Sequence, residues 1–104
     1  MKEQSEFYIT EYGNKIWYLP NKEKNYWHRE NGPAYESAHG SKWWYVNGKC
    51  HRLDGPAVEY ADENKEWWVD GKELNIKEVE TWLEENNVDL SESEGQMAFK
   101  LRWS

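Results

Sequence analysis

The sequence predicts a mainly β protein: an antiparallel meander of stacked hairpin repeats, closed by one C-terminal α-helix and a final strand. The first observation is an internal repeat, because residues 28–34 return with small changes at 51–57, an offset of 23 residues. A fixed period of this length is typical of stacked units that are each too small to bury their own apolar side. The second is that Asn47-Gly48 and Asp70-Gly71 directly follow runs rich in aromatic and β-branched residues. Such pairs favour two-residue type I′ hairpin turns. The third is that the apolar spacing becomes helical after residue 75.

The repeat divides one domain, residues 1–104, into units. A degenerate unit spans about 5–27, and two clear units span about 28–50 and 51–74. The degenerate unit carries an insertion with Pro20 and Lys22-Glu23-Lys24, which we expect to form an exposed loop. Terminal units of repeat proteins are often atypical, so this departure fits its place in the chain.

Residues after the last repeat predict a cap. Asn75 followed by Glu78 has the spacing of a capping box, which predicts a helix over 75–87 with Trp82-Leu83 on or near its apolar face. In the last segment, 96–103, apolar residues occupy every second position, which predicts a half-buried final strand.

The composition indicates a small acidic domain rich in aromatic side chains. The chain has eight Trp, seven Tyr and a net charge of −7. Each enclosed aromatic buries about 150–250 Å², so a few can anchor a thin structure. The negative charge argues against general binding to nucleic-acid backbones or anionic membranes, which require basic patches, and it suits a basic protein partner. No apolar run is long enough to span a membrane and no secretion leader is evident, so we expect a cytoplasmic protein.

Paired aromatics occupy matching strand positions in the three units. Because strand neighbours point to opposite faces of a sheet, the pairs predict two aromatic ladders. One ladder comprises Trp17, Trp44 and Trp67, and the other comprises Tyr18, Tyr45 and Trp68. One ladder can pack beneath the helix. The other is either buried by the sheet, the final strand or a second copy, or exposed as a binding stripe.

Arg29 and Arg52 follow the two repeated histidines and have two possible roles. They could grip an anionic ligand beside the aromatics, or they could pair with Glu36 and Glu59 across a hairpin, which is the interpretation we favour. We include both arginines with Tyr18, Tyr45 and Trp68 as candidate ligand- or partner-binding residues.

The sequence offers no coherent catalytic, metal or cofactor site. His28 and His51 recur at the same repeat position, which indicates a structural role such as hydrogen bonding to a turn. Cys50 is the only cysteine, whereas zinc needs about four ligands and thiol chemistry needs an oriented base. No glycine spacing matches a phosphate-binding loop.

The repeated unit from Trp43 to Tyr60 resembles MORN-like repeats, which are variants of the membrane occupation and recognition nexus repeat. Such repeats are common in small proteins of tailed phages and some large viruses. The resemblance covers roughly residues 11–74, and His-Arg-x-Asp-Gly-Pro-Ala at 51–57 is its most specific part. It implies an elongated antiparallel sheet of stacked hairpins without known catalytic residues. The acidic helix with Trp82-Leu83 also resembles the usual ending of such proteins.

Two functions follow as hypotheses. The first is a non-catalytic phage accessory or counter-defence factor that binds and blocks a host protein in the host cytoplasm, through an aromatic sheet face and an acidic surface. The alternative is a sponge that sequesters a nucleotide-type signalling molecule between Tyr18, Tyr45, Trp68 and the two arginines. A free sheet edge also makes a homodimer a possible state.

Overall fold

Short aromatic and β-branched segments form antiparallel strands in the computed structural model, which describes residues 5–20 and 25–104. Within these ranges the strands are β1 (Glu6–Ile9), β2 (Lys15–Leu19), β3 (Tyr26–Trp27), β4 (Tyr35–Glu36), β5 (Lys42–Trp43), β6 (Tyr45–Val46), β7 (Lys49–Cys50), β8 (Val58–Glu59), β9 (Lys65–Val69) and β10 (Lys72–Leu74). Two helices follow, α1 (Ile76–Glu85) and α2 (Ser93–Trp103).

Neighbouring strands in the main sheet follow one another closely along the chain. The sheet runs in the order β1-β2-β4-β5-β8-β9-β10, with β3 also paired to β2, while β6 and β7 form a separate two-stranded ribbon. Every pairing among the described residues is antiparallel. The predicted mainly β, meander-like architecture is therefore confirmed.

The two predicted tight turns have the expected backbone. Asn47 and Gly48 have φ values of 51° and 80°, and Asp70 and Gly71 have values of 51° and 81°. Positive φ at both central residues defines a type I′ turn, which Asn, Asp and Gly tolerate best. Each turn joins adjacent strands, β6 to β7 and β9 to β10, as the local sequence predicts.

Trp44 interrupts the segment that the sequence predicts as one strand, 42–46. Its N–H donates to the Ala57 carbonyl (2.8 Å) and its carbonyl accepts from the His51 N–H (3.0 Å). The chain thereby leaves the main sheet after β5 and enters the ribbon at β6. Trp44 thus connects the main sheet to the ribbon, and both its N–H and its carbonyl stay hydrogen-bonded at this junction.

The first helix lies where the sequence places it. The Asn75 side chain accepts the Glu78 N–H at 3.0 Å, and the helix ends at Glu85 with Asn86 as the C-terminal cap. Val79 is fully buried, and Trp82 and Leu83 pack against the same core. The inserted loop predicted at Lys22–Lys24 lies outside the described residues.

The predicted final strand at 96–103 is wrong, because this segment belongs to helix α2. Phe99 and Trp103, one helical turn apart, have ring centroids 5.4 Å apart on the inner side, whereas Met97 and Leu101 are exposed. Apolar residues at every second position therefore fall on two sides of a helix. The segment contains Met, Ala, Lys, Leu and Arg, which are good helix formers, and it has no β-branched residue.

The helices cover the end of the sheet formed by β9 and β10. The buried core there consists of Trp67, Val69, Leu74, Val79 and Phe99. Phe99 is fully buried, and its ring lies 5.6 Å from that of Trp67. Of the predicted ladder Trp17, Trp44 and Trp67, only Trp67 belongs to this core.

Candidate functional site

An arginine is held against each of the other two tryptophans of that ladder. The Arg52 guanidinium lies 3.8 Å from the Trp44 ring centroid, and the Arg29 guanidinium lies 4.3 Å from that of Trp17. A guanidinium stacked on an indole is attracted by the negative ring face while burying its own flat surface.

Arg52 is fixed by further polar contacts, and we call this arrangement the arginine clamp. Its Nε donates to Asp54 at 2.7 Å, and its Nη1 donates both to the Pro56 carbonyl at 2.9 Å and to Glu59 at 3.0 Å. The guanidinium lies close over Gly55, because a Cβ there would be 3.0 Å from the Arg52 Cζ and would displace it. The clamp therefore explains most of the motif at 51–57 structurally.

Arg29 makes the equivalent but longer contacts. Its Nη1 donates to the Pro33 carbonyl at 3.2 Å and lies 3.9 Å from Glu36, and a Cβ on Gly32 would approach its Cζ to 2.8 Å. Pairing of the two arginines with Glu36 and Glu59, the favoured of the two interpretations, is therefore what the structure contains.

The repeated histidines bond to the hairpin turns, as predicted. His28 Nδ1 accepts the Asn47 N–H at 2.9 Å, and His51 Nδ1 accepts the Asp70 N–H at 3.0 Å. An Nδ1 acceptor requires a neutral imidazole with its proton on Nε2. Burial lowers the pKa of His51, and the nearby Asp70 carboxylate only partly offsets this.

Arg29 and Arg52 border a depression of about 580 Å³, together with Trp44 and His51. Two carboxylates, Glu30 and Asp54, lie in the same lining and balance the two guanidinium charges. An anion bound here would have to compete with contacts that the arginines already make within the chain.

A second depression lies on the face of the sheet away from the helices. Trp67 belongs to the core under the helices, whereas its strand neighbour Trp68 packs on a separate cluster that contains Cys50, Ala57 and Val58. The two residues therefore point to opposite faces, as the strand alternation predicts.

We call this depression the aromatic groove. Its volume is about 470 Å³, its walls are the half-buried rings of Trp43, Tyr45 and Trp68, and buried Cys50 and Val58 form its floor. Gly48 and Gly71 of the two type I′ turns also line it. An open groove with aromatic walls is typical of a binding surface on a small protein.

The wall of the groove continues into a chain of contacting rings. Ring centroids are 5.1 Å apart for Tyr35 and Trp43, 4.9 Å for Trp27 and Tyr35, 5.1 Å for Trp27 and Tyr45, and 5.8 Å for Trp43 and Tyr60. These mostly edge-to-face and stacked pairs hold the rings in fixed orientations.

A carboxylate is fixed at the groove. Glu66 Oε1 accepts the Trp68 Nε1–H at 2.9 Å, and its Oε2 accepts the Tyr60 hydroxyl at 2.8 Å. The hydrogen bond to Glu66, with burial, raises the pKa of Tyr60 to about 12. Burial, followed by the charges of Glu66 and Glu73, raises the pKa of the Cys50 thiol to about 12. Cys50 therefore stays protonated at neutral pH, in the form that is neither nucleophile nor metal ligand.

The structure brings only some of the predicted site residues together. Tyr45 and Trp68 line the aromatic groove, whereas Arg29 and Arg52 border the other depression. Tyr18 lines neither, because its ring contacts Tyr8 and its hydroxyl donates to Glu6 at 3.3 Å. No joint site for a nucleotide between these aromatics and both arginines is formed.

Sequence reasoning missed Trp27, Tyr35, Trp43 and Glu66. None of the three aromatics keeps its type in the next unit, where Cys50, Val58 and Glu66 stand instead. Because these residue types do not recur, the repeat pattern gives no indication of their role. A signal was present in the strand alternation, because Trp43 lies two residues before Tyr45 and must share its face if the strand continues.

Comparisons with protein-family models, curated proteins and solved structures gave no match. Among residues 5–20 and 25–104, no helix is long and apolar enough to cross a membrane. The same described ranges hold no group of three or more His, Cys, Asp or Glu side chains that could bind a metal ion.

Proposed function

We propose that this protein is a non-catalytic binding module that engages a protein partner through the aromatic groove and the ring chain beside it. The observation that carries the proposal is the groove itself: three partly exposed aromatic walls, a buried apolar floor and a fixed carboxylate at one face. Aromatic anchors held rigid before binding lose little conformational entropy in a complex, which is why Tyr and Trp dominate interface energetics.

The acidic character of the chain favours a basic partner surface. The net charge is −7, and Glu66 and Asp70 line the groove against one cation, Lys49. Charge complementarity of this kind raises association rates and selects partners. The resemblance to MORN-like repeats of viral proteins makes a host protein in the host cytoplasm the expected partner, with a counter-defence role.

In this proposal the stacked hairpins supply the rigid sheet, and α1 and α2 serve as the cap over its last unit. The equivalent hydrogen bonds of His28 and His51, and of Arg29 and Arg52, support a shared repeat geometry. The cap buries Trp67 and leaves the opposite face, with Trp68, for the partner.

The test is affinity capture from host lysate with three tagged proteins: the parent, Trp68→Leu and Tyr12→Ala. Trp68 lines the groove, whereas Tyr12 is an aromatic residue, 76% exposed, in the turn after β1. We expect one stoichiometric protein to be captured by the parent and by Tyr12→Ala and to be lost with Trp68→Leu. In calorimetry, the purified partner should then bind the parent and Tyr12→Ala with similar affinity and Trp68→Leu much more weakly. A partner retained by Trp68→Leu, or no specific partner over a range of salt concentrations, would contradict the proposal.

A further inference from the structure

The aromatic groove has the chemistry of a cation site. We propose that it takes the cationic end of an arginine or lysine side chain of the partner, inserted between Trp43, Tyr45 and Trp68 and directed at Glu66. This inference rests on the proposed function and specifies what the groove recognises.

The first argument is the spare acceptor capacity of Glu66. An ionised carboxylate has about four lone-pair positions, and each of its oxygens here uses one, for the Trp68 Nε1–H and the Tyr60 hydroxyl. The two bonds fix the carboxylate in place without neutralising it. A guanidinium or ammonium group arriving in the groove would therefore meet an oriented negative charge at the edge of the Trp68 indole.

The second argument is the electrostatic balance of the groove. Glu66 and Asp70 carry negative charge in its lining, and Lys49 is the cation among the described lining residues. The described lining therefore holds two carboxylates against one ammonium group, and this balance favours a cation over an anion.

The third argument comes from the opposite face of the same sheet. There the chain fills an equivalent arrangement with its own side chain, because Arg52 lies on Trp44 and bonds to Glu59. In the groove, Trp68 and Glu66 provide an indole and a carboxylate, but no cation of residues 5–20 or 25–104 lies over the ring of Trp43, Tyr45 or Trp68. The groove therefore presents to a partner's cation the two groups, an indole and a carboxylate, that bind the Arg52 guanidinium in the arginine clamp.

The test is an NMR titration with Nα-acetyl-arginine methylamide and Nα-acetyl-lysine methylamide, with the citrulline derivative as the neutral isostere of arginine. We expect millimolar binding of the two cations, with shifts at the indole signals of Trp43 and Trp68, and no such shifts with citrulline. Glu66→Gln should weaken cation binding about tenfold, the effect of losing one charge-assisted contact. Glu59→Gln on the opposite face is the matched control and should leave binding unchanged.

Equal binding of citrulline and arginine, no binding of either cation, or unchanged binding in Glu66→Gln would overturn the inference. These outcomes are separable from failure of the proposed function. A partner captured through Trp68 without cation binding would refute only the cation site. Cation binding with no captured partner would refute only the partner.

A different observation supports a second surface, the outer edge of strand β1, which among residues 5–20 and 25–104 pairs only with β2. Phe7, Tyr8 and Ile9 are 50%, 49% and 63% exposed. At the other end of the sheet, β10 carries Lys72 and Glu73 and buries Leu74. Charged residues on edge strands oppose pairing with another chain, and β1 carries one only at its start, Glu6, with none between Phe7 and Ile9.

The backbone of β1 fixes how this edge can pair. Thr10 N–H donates inward to the Asn14 carbonyl at 2.8 Å, so by alternation the polar backbone groups of Tyr8 also face β2 and those of Phe7 and Ile9 face outward. We infer that a second copy of this chain pairs here antiparallel about a two-fold axis at Tyr8. Phe7 then faces the partner's Ile9 with both backbone hydrogen bonds made, and the two Tyr8 side chains meet on the other face.

The expected dimer is weak, because a strand of four residues buries less than the roughly 1,000 Å² of a stable interface. Sedimentation over a range of protein concentrations should show a monomer–dimer equilibrium, abolished in Ile9→Lys and retained in Tyr12→Lys. Amide exchange at Phe7 and Ile9 should slow as concentration rises. A monomer at all concentrations, equal loss in both variants, or concentration-independent exchange would refute this pairing.

Discussion

Replacing Arg52 tests the arginine clamp, and the internal repeat supplies its control. Arg52→Ala removes the stack on Trp44 and the hydrogen bonds to Pro56 and Glu59. Arg29→Ala removes the same kinds of contact one unit earlier. Because the Arg29 contacts are longer, the two variants should differ in stability although the substitution is identical.

The expected magnitudes follow from the distances. For Arg52, the Pro56 carbonyl loses its hydrogen bond at a cost of about 1 kcal/mol. The stack on the indole contributes about 0.5–1 kcal/mol. The ion pairs of Arg52 with the partly exposed carboxylates of Asp54, at 2.7 Å, and Glu59, at 3.0 Å, together contribute about 0.5–1 kcal/mol to stability. The free energy of unfolding should therefore fall by about 2–3 kcal/mol in Arg52→Ala. The Arg29–Glu36 pair, at 3.9 Å, adds almost nothing. Arg29→Ala therefore loses only the Pro33 hydrogen bond and the stack on Trp17, which should cost about 1.5–2 kcal/mol.

Urea unfolding followed by tryptophan fluorescence measures both values. A loss of this size moves the Arg52→Ala midpoint down by roughly 1–2 M, with an unchanged slope. Arg52→Lys keeps the charge but not the planar fork, so it should recover less than half of the loss. An Arg29→Ala loss equal to or larger than that of Arg52→Ala would refute the reasoning, as would an Arg52→Ala loss below about 0.5 kcal/mol.

Three further predictions concern the core and the titrating groups. Phe99→Ala should lower the unfolding free energy by about 3–5 kcal/mol, whereas Leu101→Ala, 75% exposed, should change it by less than about 0.5 kcal/mol in the same urea assay. Raising the pKa of Cys50 from 9.0 to about 12 lowers its thiolate fraction at pH 8 by about 1,000-fold, so its alkylation by iodoacetamide should be slower than that of a free thiol by this factor; a rate within tenfold of the free thiol would contradict this. The pKa of His51 is lower in the folded state, so the folded chain binds fewer protons and stability should fall as pH drops below about 6.5. His51→Asn keeps an acceptor for the Asp70 N–H and should remove this pH dependence from the unfolding free energy; an unchanged dependence would contradict the assignment.

The repeat made the local parts of this structure predictable. Asn47-Gly48 and Asp70-Gly71 define their turns because positive φ is tolerated by these residue types wherever they stand. The pairing of Arg52 with Glu59 could also be predicted, because only seven positions along the chain separate the two residues. These contacts depend on neighbours within a single unit.

The aromatic groove could be predicted only in part. Tyr45 and Trp68 were recognised because they recur, but Trp43 and Glu66 occupy the same repeat position and differ in type. Their contribution depends on which strands lie side by side. Trp43 pairs across the sheet with Tyr35 of its own unit and with Val58 of the next unit, so the second contact joins separate units.

The last segment shows why the period of an apolar pattern can mislead. Residues 96–103 alternate like a strand, yet they form a helix because Phe99 and Trp103 find partners in Trp67 and Trp82. A short alternating stretch fits either structure, and the packing partner decides between them.

The sequence by itself determined the hairpin units, their turns, the first helix and the histidine and arginine contacts that recur in them. The turns and the helix depend on local backbone preferences, and the histidine and arginine contacts recur with the 23-residue period of the sequence. Only the tertiary structure decided which aromatic rings meet, that the chain ends in a helix, and that the two arginines lie apart from Tyr45 and Trp68. Those features depend on contacts between distant segments, which form when the sheet and its two helices bury apolar surface together.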